Sequence, residues 1–253
     1  MIELKNTVSG YGGKRVLDSV SLAFPKGKLI SLIGANGSGK STLLKTVAGI
    51  IKAESGEIFV DGESSDVLSR RDRAKKIAYL AQGRSVPDMT VEQMVLHGRF
   101  PYLGYPRRYS EKDRRIAGDA LRQMKIEPLA DRPLSSLSGG MRQKAYIAMA
   151  LTQDTDYILL DEPTTYLDIS NQVELMHILR SLADAGKGIV AVMHDLELAF
   201  GFSDSIAVLK DGAIAACDTP ESICKAGTVR DVFGVELEYS QETGSYHYRY
   251  NVR

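Results

Sequence analysis

Apolar residues recur along this chain with two periods that take turns. Ile2 and Leu4 alternate with Glu3 and Lys5, the period of a strand. Leu17, Val20, Leu22 and Phe24 fall largely on alternate positions and predict another. Leu29-Ile30-Ser31-Leu32-Ile33 is a short apolar run and predicts a buried strand. The period then lengthens, because Leu43, Leu44, Val47 and Ala48 share one face at helical spacing. Glu57-Ile58-Phe59-Val60 returns to strand character and stops at Asp61-Gly62, a hairpin signal.

From about Ser85 to Leu137 the character changes. Prolines, arginines and tyrosines crowd Arg99-Phe100-Pro101-Tyr102-Leu103-Gly104-Tyr105-Pro106-Arg107-Arg108-Tyr109. A helix is predicted from Ser110, with Ile116, Ala120, Leu121 and Met124 as its apolar stripe. This stretch reads as a helical lobe, 85–137, inserted into an α/β core formed by 1–84 and 138–253. The core resumes with the apolar run Tyr157-Ile158-Leu159-Leu160, a crossover helix marked by Val173, Met176, Leu179 and Leu182, and the run Ile189-Val190-Ala191-Val192-Met193. Strands separated by helices imply a mostly parallel sheet with ligand sites at the strand carboxyl ends. Ile206–Leu209 and Ala213–Ala216 flank Lys210-Asp211-Gly212, a hairpin. Thr219-Pro220-Glu221 starts a helix with proline at its first position. Tyr246, Tyr248 and Tyr250 alternate as in a half-buried strand.

Composition narrows the class. The 253 residues suffice for one large domain or a core carrying a lobe. Lysine plus arginine equals aspartate plus glutamate, 32 each, which argues against a chain-wide footprint for nucleic acid. No apolar stretch approaches the roughly 18 residues that span a bilayer. The first residues alternate and lack a signal-peptide core, so an intracellular protein is expected. Cys217 and Cys224 have no metal-ligand spacing and are expected to be small buried hydrophobes.

Three motifs carry chemistry. Gly34-Ala35-Asn36-Gly37-Ser38-Gly39-Lys40-Ser41 fits G-x-x-x-x-G-K-[ST], with Thr42 next in the helix. Its glycines permit turns that point successive N–H groups at one anion; Lys40 can reach β- and γ-phosphates, and Ser41 can offer a hydroxyl to Mg²⁺. A strand, this loop and then a helix aim a helix N-terminus at phosphate. Asp161 and Glu162 follow an apolar run directly. A carboxylate there can orient Mg²⁺, and a second can polarise a water for attack on the γ-phosphate. In Leu137-Ser138-Gly139-Gly140-Met141-Arg142-Gln143, Ser138 can cap a helix whose first-turn glycines leave N–H groups open to a phosphate.

Together these residues resemble the ATP-binding subunit of an ABC transporter, from about residue 2 to about residue 235. The resemblance implies a P-loop NTPase core with an N-terminal antiparallel β subdomain and an inserted helical subdomain. It implies ATP and Mg²⁺ as cofactors and a second copy of the chain facing the first head to tail. Ser138, Gly139 and Gly140 would then contact the γ-phosphate held by the partner chain. Tyr11, in Gly10-Tyr11-Gly12-Gly13, matches the aromatic that stacks on adenine. Gln82 matches the glutamine that touches Mg²⁺ and the attacking water. Asp168 matches a loop that crosses the subunit interface, and His194 matches a histidine at the γ-phosphate. Glu162, His194 and Gln82 are the expected catalytic set; Ser41, Gln82 and Asp161 are the expected metal set.

Asp161-Glu162-Pro163-Thr164-Thr165-Tyr166-Leu167-Asp168-Ile169, with Gly98-Arg99-Phe100-Pro101-Tyr102, resembles the subfamily serving iron-siderophore, haem and cobalamin uptake. That resemblance alone implies import rather than export. It also implies membrane permease subunits as partners, an extracytoplasmic solute-binding protein behind them, and a peripheral position on the cytoplasmic face of the membrane. Met141 stands where many relatives have glutamine. A soluble ABC-type assembly or repair ATPase is the alternative, but its usual second ATP domain, long coiled-coil insertion or zinc-binding cysteines are not visible. A GTP switch lacks its Asn-Lys-x-Asp here and leaves the Leu-Ser-Gly-Gly segment without a role.

Overall fold

Two sheets take up most of the strands in the computed structural model, which describes residues 1–83 and 86–249. The chain begins with β1 (Ile2–Tyr11), β2 (Lys14–Phe24) and β3 (Leu29–Ile33), then enters α1 (Lys40–Val47). β4 (Ser55–Val60), β5 (Glu63–Ser64), α2 (Arg70–Lys76) and β6 (Ile77–Leu80) follow. The helical lobe contributes α3 (Val91–Leu96), a 3₁₀ segment over His97–Tyr102, and α4 (Glu111–Gln123). α5 (Gly139–Thr152), β7 (Tyr157–Asp161), α6 (Ile169–Asp184), β8 (Gly188–Val192) and α7 (Leu196–Phe202) return to the core. β9 (Ser205–Lys210), β10 (Ala213–Asp218), α8 (Pro220–Lys225), α9 (Thr228–Phe233), β11 (Glu236–Ser240) and β12 (Ser245–Arg249) complete it.

The larger sheet runs β10-β9-β3-β8-β7-β6. All its pairings are parallel except that of β10 with β9. β3, β7 and β8 are buried at every position, as strands covered on both faces must be. Their carboxyl ends lie at one edge of the sheet, and the chain segments that leave them carry the loop after Ile33, the acids 161 and 162, and His194. The smaller sheet, β2-β1-β4-β5, is antiparallel. Its β1–β2 pair is bulged. Ser9 pairs with Leu17 and Thr7 with Val20, so β2 carries an extra residue, and Ser19 there has φ 50°. That extra residue explains why Leu17 and Val20 break strict alternation yet are both buried.

Helix caps follow the sequence. Ser110 and Asp113 form a capping box on α4, and Ser138 caps α5 by accepting from Met141 N. Thr219 caps α8 with Pro220 at the first helical position. In the lobe, the buried Arg99 guanidinium lies 2.9 Å from Asp113 Oδ1 and donates to Thr152 O at 3.0 Å. One side chain thus joins the 3₁₀ segment, α4 and the end of α5.

Three expectations need correction. The buried stripe of α4 is Ala117, Ala120, Leu121 and Met124, whereas Ile116 sits half-buried at its margin. In α6, Met176, Leu179 and Leu182 are buried but Val173 is only half-buried. Cys217 is exposed and Cys224 half-buried, so neither is a core residue. Cys217 lies on edge strand β10, whose inward positions are Ile214 and Ala216, so strand parity turns the thiol outward. Ser85 and Tyr250 lie outside the described residues.

Candidate active site

The loop after β3 is shaped by approaches that a side chain would block. A Cβ at Gly34 would lie 2.2 Å from Leu209 O, so β9 can pass this close only to glycine. Gly39 begins α1 with φ 106°, a backbone state that L side chains rarely adopt. Having no side chain, it leaves the first amides of α1 uncapped, a partial positive charge open to an anion.

Lys40 folds back under the loop and donates to Gly34 O at 2.8 Å and Ala35 O at 3.0 Å. The ammonium is buried. Burial pushes its pKa down, and the negative charges of Glu162 and Asp161 only partly restore it. An ammonium has three donors, and two are used here. Ser38 is also buried, and its Oγ has no hydrogen-bond partner among the described residues. Buried polar atoms are nearly always satisfied, so an orphan hydroxyl in this loop fits a ligand that supplies its partner.

Opposite the loop, Asp161 ends β7 almost fully buried. Ser41 Oγ donates to its Oδ1 at 2.9 Å and Tyr79 OH to its Oδ2 at 3.3 Å. Burial raises the Asp161 pKa; those two hydrogen bonds oppose the rise and the neighbouring Glu162 reinforces it. The chain then leaves the strand through a left-handed residue, Glu162, at φ 54°. This conformation costs roughly 1–2 kcal/mol in a residue with a Cβ. It accompanies a carboxylate gripped on both oxygens. His194 Nε2 lies 2.7 Å from Oε1, and Gln82 Nε2 donates to Oε2 at 2.5 Å, with Thr165 Oγ1 at 3.3 Å. A carboxylate held this way can orient a water for in-line attack on phosphorus.

One cleft is lined by Asn36, Gly37, Gly39, Lys40, Ser41, Thr42, Gln82, Glu162 and His194, with Val16 on its wall. Gly34, Ala35, Ser38 and Asp161 do not line it: Gly34 and Ala35 meet Lys40 through their carbonyls, Asp161 meets Ser41 and lines a neighbouring cavity, and Ala35 and Ser38 line a further one with Lys210 and Asp211. Other expected residues do not join this cleft. Tyr11 is half exposed at the end of β1. Asp168 is exposed and caps α6 by accepting from Asn171 N at 2.8 Å. Gly139 lines a neighbouring cavity with Gln82 and Glu162, while Ser138 is exposed and Gly140 half-buried, each outside both cavities. A Cβ at Gly139 or Gly140 would meet its nearest neighbours at 3.4 Å, ordinary contact. Neither has a positive φ. Among the described residues nothing requires glycine at either position, although glycine is a poorer helix former than alanine.

Sequence reasoning did not foresee Val16, Tyr79 or Thr165. Tyr79 had a signal. It pairs with Leu159 in the parallel β6–β7 ladder, so it shares a face with Asp161 two residues on. Reading that signal required knowing that β6 and β7 are neighbours.

The family described as ABC transporter matches residues 17–165, more than half of the sequence. The chain belongs to the ABC transporter family. It is an ATP-hydrolysing component of that family, with the family's P-loop NTPase-like α/β fold, N-terminal antiparallel β subdomain and inserted helical subdomain. The petrobactin import ATP-binding protein FpuD of Bacillus anthracis is 40% identical over 243 residues, covering 95% of this chain and 89% of that protein. The iron(3+)-hydroxamate import ATP-binding protein FhuC of Bacillus subtilis (strain 168) is 39% identical over 231 residues, covering 90% and 86%. Among solved structures, the dimeric structure of MJ0796, a bacterial ABC transporter cassette, is 31% identical with a TM-score of 0.77, covering 87% of this chain and 99% of that one. The fold and family imply use of ATP with Mg²⁺.

Proposed function

We propose that this ABC subunit hydrolyses ATP to drive import of a metal chelate such as an iron-siderophore, and that it works as a head-to-tail pair. The observation that carries the reading is the convergence of Lys40, Ser41 and the Gln82–Glu162–His194 network on one cleft, with Asp161 held behind Ser41 by its hydroxyl. Import of a chelate is supported by the kinship with FpuD and FhuC.

In this reading Gly34 to Thr42 cradle the triphosphate and Lys40 exchanges its carbonyl partners for phosphate oxygens. Tyr11 stacks on the base at the open side. Ser41, Asp161 and Gln82 offer oxygen donors that suit Mg²⁺, which when bound neutralises phosphate charge. Glu162, aimed by Gln82 and His194, polarises the water whose oxygen attacks the γ-phosphorus. The bond to the β–γ bridging oxygen breaks, and ADP and phosphate leave.

Pairing is supported by the two glycines that nothing among the described residues requires. Ser138, Gly139 and Gly140 lie off the loop cleft, and small residues at an exposed helix start let a second chain's phosphate come close. Asp168 then sits at the seam between copies. The whole chain, 1–253, is one ABC ATPase domain with core 1–84 and 138–253 and lobe 85–137. Among the described residues no helix is long and apolar enough to cross a membrane. The subunit is assigned to the cytoplasmic face of the membrane, bound to permease subunits that an extracytoplasmic binding protein loads.

Glu162→Gln tests the assignment. The variant should bind ATP, fail to turn it over, and elute as a dimer on size exclusion only when ATP is present. Turnover at the parent rate would remove Glu162 from the chemistry.

A further inference from the structure

The carboxyl-terminal hairpin of β11 and β12 lines neither cavity beside Glu162, yet it grips the segment that carries His194. β8 ends at Val192, and His194 is followed at once by α7, a helix of only seven residues. So short a helix is not stable by itself and depends on partners at its ends. Asp195 supplies one by accepting from Leu198 N at 3.0 Å. Tyr248 supplies a second, its phenol oxygen accepting from Leu196 N at 3.3 Å. The link is reciprocal, because Tyr248 N donates to Glu197 Oε1 at 3.1 Å. One turn further on, Phe200 meets Tyr246 edge to face with centroids 5.3 Å apart. The register that pairs Leu237 with Tyr248 and Tyr239 with Tyr246 puts both tyrosines on one face of the hairpin.

We propose that Tyr248 is a positioning residue for ATP hydrolysis, acting through Leu196 and Glu197 to hold His194 against Glu162. The proposal rests on the role given to His194 above and extends it to a residue outside the nucleotide cleft. The amide that Tyr248 receives lies two residues beyond His194, and helix starts leave their first amides without partners. Losing the phenol frees the start of α7 to shift. The 2.7 Å contact between His194 and Glu162 tolerates little displacement. His194 also lines the nucleotide cleft, but Lys40 and its loop belong to other elements, so turnover should suffer more than ATP binding.

The experiment compares parent, Tyr248→Phe, His194→Ala and the double variant of the full chain, measuring kcat and KM for ATP and the melting midpoint. Removing one neutral hydrogen bond should lower kcat by about two- to tenfold. KM should stay near the parent value and the midpoint should fall by no more than about 2–4 °C, the worth of one hydrogen bond in a chain of this size. In the His194→Ala background, Tyr248→Phe should have no further effect on kcat. If His194→Ala leaves kcat unchanged, the role given to His194 fails, and this proposal with it. If His194→Ala lowers kcat but Tyr248→Phe does not, or the two losses multiply, the positioning proposal alone is overturned. A Tyr248→Phe variant that melts more than about 10 °C earlier, several times the worth of one hydrogen bond, or that raises KM as far as it lowers kcat, also overturns it. Tyr248→Leu, which removes the ring as well, should lower kcat at least as far; parent-level kcat in that variant contradicts the proposal.

Discussion

Replacing Lys40 by alanine separates what this side chain does for the fold from what it does for nucleotide. Without ligand, the ammonium contributes two hydrogen bonds to Gly34 O and Ala35 O but is buried at a cost that pushes its pKa down. Loss of the bonds and relief of the burial oppose each other. The unliganded midpoint should therefore move by no more than about 2–4 °C, the shift that 1 kcal/mol produces in a chain of this size. With ATP bound, the carbonyl bonds are exchanged for phosphate bonds, so the net gain is about one charged hydrogen bond. Such a bond contributes about 1.5–3 kcal/mol, or roughly ten- to hundredfold in affinity. Titration calorimetry with ATP and Mg²⁺ measures the second quantity and a thermal melt the first. Affinity within twofold of the parent would refute the role of Lys40. A fall of more than 10 °C without ATP, several times the shift worked above, would show that it is chiefly structural.

Two further outcomes follow from single atoms. Ser38→Ala removes a buried hydroxyl that has no protein partner, so the denaturant midpoint should hold or rise. ATP affinity should fall about two- to tenfold, the worth of one neutral hydrogen bond; an unchanged affinity would mean Ser38 never meets phosphate. Asp61 is held at a pKa of about 2 although burial alone would raise it, because Tyr157 OH donates to it at 2.6 Å and Lys26 and the N-terminal ammonium lie close. Its folded pKa is depressed, so the stabilisation is full above the unfolded value near 3.8 and disappears as pH falls towards 2. Asp61 is exposed to solvent, which screens these charges, so Asp61→Asn should lose about 1 kcal/mol in urea melts at pH 7 and much less near pH 2. A loss that does not vary with pH would sink the electrostatic explanation.

Much of this architecture was legible because local and global signals agree. The loop around Lys40, the acids after Leu160 and the cap at Ser138 are short-range features, and each sits where its neighbours in sequence demand. What escaped depends on neighbours in space. The bulge at Ser19 is visible only once β1 is paired with β2, and Tyr79 matters only once β6 lies beside β7. The left-handed backbone at Glu162 has no local signature, since glutamate is not a residue that favours it. Cys217 looks apolar by type but faces outward by strand parity. Tyr246 and Tyr248 were readable as a strand, whereas the docking of Tyr248 on α7 joins residues about fifty positions apart.

Sharing of each ATP between two chains is the claim on which the transport reading depends. Ser138→Arg should block the glycine-led helix of one chain, and Lys40→Ala should disable the phosphate loop of the other; alone, each variant should be inactive. Mixed into confirmed heterodimers they leave one intact composite site, and ATPase activity should return to about half the parent value if the two sites act independently. Heterodimers that form but hydrolyse no ATP would contradict the account.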